Sequence, residues 1–405
     1  MATGEYPVSP PSRVRGRELM PTKPIRTAVG GMIAMAAAMG IGRFVYTPIL
    51  PFMTDALSLT ASEAGLIAAA NFLGYLGGAL AGATGLLHGD RRRWLLAALA
   101  GSALTTGAMA LAVSVPAFLV LRFAGGVCSA LAMVFGSALV FDRLTAAGRP
   151  DLSHVHFAGV GAGMAVSAVT VAALAGSSVG WAGQWTASAL IAFAALAALV
   201  LLVPPGPGDT VPPAAPAGPK KQIDRRLYPL AVSYGLFGFG YVITATFISV
   251  LVRQTPALAP VEPVVWLIVG IAAVPSVALW TWVGRRTGNP VAIALACLVE
   301  AAGIAATVLF HSAAAVLVGG ALLGGTFMGI TALGLITARE ISLDRSGRDP
   351  RRMLALMTAA FGAGQMVGPA FGGYAASLTG SFTAPSLIAA VMLLLAAGLA
   401  LAARK

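Results

Sequence analysis

The chain has 405 residues, of which 58% are hydrophobic and 10% charged, and its mean hydropathy is +0.86. A composition this apolar excludes a soluble multidomain enzyme and describes an integral membrane protein. The formal charge of +12 comes from cations placed at the ends of apolar runs, where anionic lipid accounts for them and no nucleic acid is expected as a partner.

Residues 1–24 are Pro-, Ser- and Arg-rich without an apolar centre, so they read as a disordered cytosolic tail rather than a signal peptide. Met20 offers a second start just ahead of the first apolar run. Runs of about twenty apolar residues then recur, each long enough to cross roughly 30 Å of hydrocarbon as a helix. None has the alternation of a barrel strand. Cutting at clusters of Arg, Lys, Asp, Pro and Gly predicts spans near 27–53, 62–87, 94–113, 116–141, 153–175 and 181–203. From Pro204 a Pro- and Gly-rich stretch reads as a cytosolic linker, 204–227. Six more spans follow near 228–252, 262–284, 290–310, 313–336, 353–378 and 383–403. The expected architecture is all-α, twelve transmembrane helices in an N-terminal half, 25–203, and a C-terminal half, 228–405.

Every Lys and Arg except Arg43, Arg122 and Arg253 falls in the tail, in alternate loops or at the C-terminus. Both termini are therefore expected on the cytoplasmic side of the cell (inner) membrane. Cys128 and Cys297 lie inside apolar runs and build neither a disulfide framework nor a zinc site. Trp181, Trp266, Trp280 and Trp282 stand near span ends, as an aromatic belt does. No phosphate-binding loop, paired catalytic carboxylates or zinc-protease helix is visible, so no catalytic residue, cofactor or metal is expected, and energy must come from a gradient or from the cargo.

The two halves repeat. Gly40 and Gly42 recur as Gly238 and Gly240, 198 residues on, and Gly125 and Gly126 as Gly324 and Gly325, 199 on. Gly161-Ala162-Gly163 recurs 201 residues later as Gly362-Ala363-Gly364, and Glu63 maps onto Glu262. Parallel six-helix repeats place a pseudo-two-fold axis along the membrane normal, the geometry of an alternating-access transporter.

Several strings at the expected spans resemble the major facilitator superfamily. Gly364-Gln-Met-Val-Gly368-Pro369-Ala-Phe-Gly372-Gly373 in the eleventh span is similar to the family's antiporter pattern, which usually sits in the fifth. Arg122-Phe-Ala-Gly-Gly126 resembles its fourth-helix motif. Gly85-Leu-Leu-His-Gly-Asp90-Arg91-Arg92-Arg93 is similar to its signature between helices two and three, with one extra residue before the Asp. Gly40-Ile-Gly-Arg43-Phe-Val-Tyr46-Thr-Pro48-Ile-Leu-Pro51 and Tyr234-Gly-Leu-Phe-Gly-Phe-Gly240-Tyr241 resemble the YbfB/YjiJ-type branch. The resemblance implies a secondary transporter that rocks two halves around a midplane site.

Arg43, Arg122 and Glu300 are the ionisable groups expected well within the hydrocarbon. A buried Arg costs roughly 2.5 to 3.5 kcal/mol on insertion scales and so needs a wet cavity or a partner. The repeat mate of Arg43 is Tyr241, which places an Arg and a phenol on opposing walls of one cavity, with Tyr46 a turn away. A guanidinium suits a carboxylate or phosphate, so Arg43, Tyr46 and Tyr241, with the polar Asn71 and Gln365, are candidate cargo-binding residues. The competing reading has Arg43 donating to backbone carbonyls loosened by the nearby Gly and Pro.

For proton coupling the candidates are Arg122, which the resemblance implicates, Glu300, and Asp142 with His156 beside the loop after helix four. Asp90, Arg91 and Arg92 are candidates for a cytoplasmic latch in which Asp90 meets the N-terminal end of helix eleven. Gly364, Gly368, Pro369 and Gly372 supply a bendable packing surface. The resulting expectation is a transporter of a small organic solute, with an anion as the candidate cargo, working as a single chain with protons as the candidate coupling ion. The alternatives are a proton-coupled exporter of amphiphilic drugs and, from another class, a membrane enzyme or sensor reusing the fold.

Overall fold

The computed structural model describes residues 24–83, 87–206, 209–211, 225–343 and 350–404. The tail ahead of Pro24, Gly85 and Leu86 of the loop motif, most of the linker with Lys220 and Lys221, and the side chains of Arg351 and Arg352 lie outside the described residues.

Helical stretches follow the expected spans in order. They are α1 (Pro24–Leu57), α2 (Ala61–Ala83), α3 (Arg91–Leu111), α4 (Val115–Ala146), α5 (Ser153–Leu174) and α6 (Gly180–Leu202). Then come α7 (Leu227–Gln254), α8 in two pieces (Glu262–Ala273 and Ser276–Thr287), α9 (Asn289–Leu309), α10 (Ala313–Leu343), α11 (Pro350–Thr379) and α12 (Thr383–Ala402). Among the described residues ten helices are long and apolar enough to cross a membrane on their own, and α8 makes eleven when its pieces count as one span. The 30-residue α11 has the length but carries Gln365, Pro369 and several glycines, which make it less apolar than α10 or α12.

The 45° bend in α8 has a chemical cause. Pro275 has no N–H to offer Ile271, so the N–H of Val274 bonds that carbonyl instead, at 3.2 Å.

The two halves meet along α2 against α11 and α5 against α8, with the outer piece of α1 against α7 between them. These seams are built for backbone contact. A Cβ on Gly65 of α2 would lie 2.3 Å from the carbonyl oxygen of Pro369, and one on Gly161 of α5 would lie 2.6 Å from that of Gly270. Small residues are what let membrane helices approach this closely.

The described linker residues are bound to the N-terminal half. Asp209 is buried, and Arg143 Nη2 donates to both of its carboxylate oxygens at 2.8 Å and to the carbonyl of Pro204 at 2.9 Å. Thr210–Val211 pairs antiparallel with Gly89–Asp90. Arg143 is available because α4 runs to Ala146, beyond the expected end at residue 141.

The aromatic belt needs correction too. Trp266 and Trp280 are buried, and Trp280 Nε1 donates to the carbonyl of Gly325 at 2.8 Å, tying α8 to α10. Trp282 is exposed, under the guanidinium of Arg286 at 3.9 Å.

Candidate functional site

The site grows from a break in α1. Residues Ala36–Ile41 form a π-helical turn, in which Gly42 N–H bonds Ala37 O and Phe44 N–H bonds Met39 O. Such turns recur at functional sites. The regular helix resumes at Tyr46. Pro48 completes the disruption: it cannot donate to Phe44, so Thr47 N–H takes the Phe44 carbonyl at 3.2 Å and leaves the Arg43 carbonyl without its usual helical donor.

Arg122 of α4 fills that vacancy. Its Nη2 donates to Arg43 O at 2.9 Å and its Nη1 to Gly42 O at 3.2 Å, while its guanidinium lies 5.0 Å from the ring of Tyr46. Asn71 of α2 braces the arrangement by donating from Nδ2 to Arg122 O at 2.9 Å. Tyr46 turns its hydroxyl to the carbonyl of Ala64, 2.9 Å away. Arg122, Asn71 and Tyr46 thus all bond main chain. The task of holding loosened carbonyls, weighed for Arg43 from the sequence, falls to Arg122.

Arg43 sits differently. It is 3% exposed, and its guanidinium carbon lies 4.1 Å from the ring centroid of Tyr75, 4.5 Å from Phe72 and 5.3 Å from Phe44. Its Nε and Nη2 have no hydrogen-bond partner among the described residues. The rings supply cation–π attraction but leave these directional donors unused.

Across the seam, Tyr241 of α7 receives a hydrogen bond from Gln365 Nε2 of α11, and Gln365 Oε1 has no partner among the described residues. Tyr241 belongs to a stack with Phe237, Phe361 and Phe327, at centroid separations of 5.0, 6.1 and 5.5 Å. Phe327 of α10 also meets Phe44, the neighbour of Arg43, edge-on at 6.0 Å. One continuous ring cluster therefore joins the repeat mates Arg43 and Tyr241. Sequence reasoning missed Phe44, Phe72, Tyr75, Phe327 and Phe361; the only available signal was that all are aromatic residues in spans that face the centre.

The remaining candidates scatter. Glu300 of α9 is fully buried, and neither carboxyl oxygen meets hydrogen-bond geometry with a partner among the described residues. Asp142 lies inside α4 and ion-pairs with Arg91 at the helix surface. His156, expected at the surface, is fully buried because α5 starts at Ser153 and turns it against α1 and α4, where Nε2 meets Ser137 Oγ at 3.0 Å. Asp90 caps α3, accepting from Arg93 N–H at 3.1 Å; the segment before α11 and the Arg351 and Arg352 side chains that the expected latch faces lie outside the described residues. Arg92 Nε donates to Val203 O at 2.5 Å.

In α11, Gly364 and Gly368 lie against the backbone of Gly235 and Phe239, Gly372 against Ile243, and Pro369 against Gly65 of the other half. The motif is a packing surface that touches both α7 and α2.

A second group, also missed, lies at the end of the bundle away from the arginine-rich loops. Arg253, at the end of α7, pairs with Asp55 of α1 at 3.1 Å and Glu262 of α8 at 3.8 Å, with its guanidinium 4.1 Å from the ring of Phe52.

The family described as "Uncharacterised MFS-type transporter YbfB" matches residues 35–401. No curated protein matches the chain in sequence. Among solved structures, a mutant of the nucleoside transporter NupG superposes with a TM-score of 0.70 at 14% identity, covering 94% of this chain and 100% of that one. A bacterial homolog of the human lysosomal transporter Spinster, inward-facing and unoccupied, superposes with a TM-score of 0.67 at 14% identity over 94% of this chain and 97% of that one. At this identity the likeness is one of fold.

Proposed function

From the premise that the chain belongs to the YbfB-type family of major facilitator superfamily transporters, we propose that it moves a small organic solute bearing an anionic group, bound between α1 and α7. The observation that carries this reading is Arg43: a buried guanidinium with Nε and Nη2 unpartnered, walled by Phe44, Phe72 and Tyr75. A carboxylate or phosphate would pair the charge and satisfy both donors, and the adjoining rings would cover a planar or apolar body. Gln365 Oε1 offers an acceptor on the opposite wall.

Transport proceeds by rocking of the two halves. At the arginine-rich end the halves part around a cavity of about 760 Å³. On the seam at the other end, the pocket beside Pro48, Phe52 and Trp266 has about 20 Å³. This asymmetry supports a state open toward the arginine-rich face. That face is assigned to the cytoplasm because cations are retained there. Glu300, buried with both oxygens unpartnered, is the candidate to carry a coupled proton.

The test is a thermal-shift screen of the purified protein and Arg43→Gln against acidic, neutral and basic solutes, since a ligand that binds only the folded state raises apparent stability. Stabilisation of the wild type alone by acids is expected. Equal stabilisation of both proteins by amphiphilic cations would replace the anion reading with the drug-exporter one.

A further inference from the structure

The cavity of about 760 Å³ at the arginine-rich end is distinct from the Arg43 site, and Arg43 is not among its lining residues. It lies on the seam between the halves. Phe141 of α4, Phe157 of α5, Val277 of α8 and Leu333 of α10 give it apolar walls, and Arg285 of α8 and Arg339 of α10 also line it. Both arginines are exposed, and neither has an ion-pair or hydrogen-bond partner among the described residues.

The carboxylates nearby are otherwise engaged. Asp151 is held by Arg149 through bonds of 2.9 and 2.7 Å, and Glu340 accepts from Asn289 Nδ2 at 2.9 Å. His154, Thr145, Ser153 and Thr281 complete the polar part of the lining. The cavity thus combines two uncommitted guanidiniums from one half with aromatic walls from the other, in a volume typical of small-molecule sites.

We propose that this cavity is a second binding site, for an anionic amphiphile whose carboxylate or phosphate head rests on Arg285 and Arg339 and whose apolar body lies against Phe141 and Phe157. Guanidiniums match such heads with paired donors, and the apolar walls supply the contact that exposed charges alone do not. A ligand seated here bridges α4 and α5 of one half to α8 and α10 of the other, so it holds the halves apart at this end. The head can belong to a membrane lipid or to a soluble amphiphile, and the site does not depend on what Arg43 binds.

The experiment is equilibrium binding of tritiated dodecyl phosphate to the full-length protein in a neutral detergent, with dodecyltrimethylammonium as the competing control. Saturable binding that resists the cationic competitor is expected. Measured in the Arg43→Gln background, which removes the other proposed anion site, the Arg285→Gln/Arg339→Gln double variant should weaken it at least tenfold, the Arg285→Lys/Arg339→Lys variant should keep most of it, and Arg286→Gln should leave it unchanged. Wild-type affinity in the Gln double variant, or loss of binding in Arg43→Gln, would overturn the proposal. Repeating the measurement in phosphatidylglycerol and phosphatidylcholine nanodiscs separates the sources. Competition by phosphatidylglycerol alone assigns the head to a lipid, and equal binding in both assigns it to a soluble amphiphile.

Discussion

The carbonyl of Arg43 is held by the guanidinium of Arg122, whose Nη2 donates to it at 2.9 Å. The bond exists because Pro48 displaces Thr47 N–H onto Phe44 O and leaves the carbonyl one residue earlier unpaired. Two arginines in one small region therefore have opposite standing. Arg122 is committed to main chain, while Arg43 keeps its Nε and Nη2 free inside an aromatic enclosure.

Replacing Arg122 should therefore be a stability lesion first. Arg122→Ala removes two charge-assisted hydrogen bonds and orphans two buried carbonyls, a loss of roughly 3 kcal/mol. Chemical denaturation in mixed micelles is expected to register that loss with no cargo present. Arg122→Lys should recover part of it, because an ammonium can reach one carbonyl but not fork to both. An unchanged denaturation midpoint in Arg122→Ala would contradict the bracing role.

Arg43→Gln should do the reverse. The change removes cation–π attraction to three rings but also a buried charge with unused donors, and the two effects oppose each other at roughly 1 to 3 kcal/mol apiece. The ligand-free variant is expected to unfold within about 1 kcal/mol of wild type. Affinity for an anionic solute, once one is found by the thermal screen, should fall at least tenfold. A large loss of ligand-free stability would move Arg43 into the scaffold.

Much of this was legible in the sequence, for identifiable reasons. About twenty apolar residues per crossing is a demand of the bilayer, so the order of helices followed directly. Arg43 and Arg122 stood out because charge is costly there. Their division of labour did not, since it depends on how Pro48 reroutes one hydrogen bond and on which face of α4 meets the break. The burial of His156 was hidden by its place next to a polar loop, three residues inside the helix start. The bond between Asp209 and Arg143 was hidden because a single ion pair leaves no periodic trace. The aromatic enclosure was invisible because rings from α1, α2, α7, α10 and α11 converge only in three dimensions.

The Asp209 contact makes its own prediction. Both partners are nearly buried, with side-chain exposures of 10% for Arg143 and 7% for Asp209. Asp209→Ala strands the guanidinium and should cost roughly 3 kcal/mol, whereas Arg143→Met with Asp209→Leu should restore much of the loss by replacing the pair with apolar packing. Thermal denaturation of Arg143→Met, Asp209→Leu and their double variant closes the cycle. Additive losses in the double variant would show that the pair is not coupled.

The outer cluster of Arg253, Asp55 and Glu262 bears on conformation more than on stability. Its members are exposed at 31%, 64% and 16%, so each pair is worth only about 0.5 to 1 kcal/mol. A tie between α1 of one half and α7 and α8 of the other opposes separation of the halves at this end. Losing about 1 kcal/mol of that opposition shifts a two-state population roughly fivefold. Arg253→Met also leaves Asp55 and Glu262 facing each other with like charge. The measurement is the labelling rate of a cysteine introduced at Ala172, which lines the small outer pocket, in a background lacking Cys128 and Cys297. Arg253→Met is expected to raise that rate several-fold, and high salt should raise the rate of the parent protein toward the same value by screening the tie. Equal rates with and without Arg253 at low salt would remove the cluster from the closing of this end.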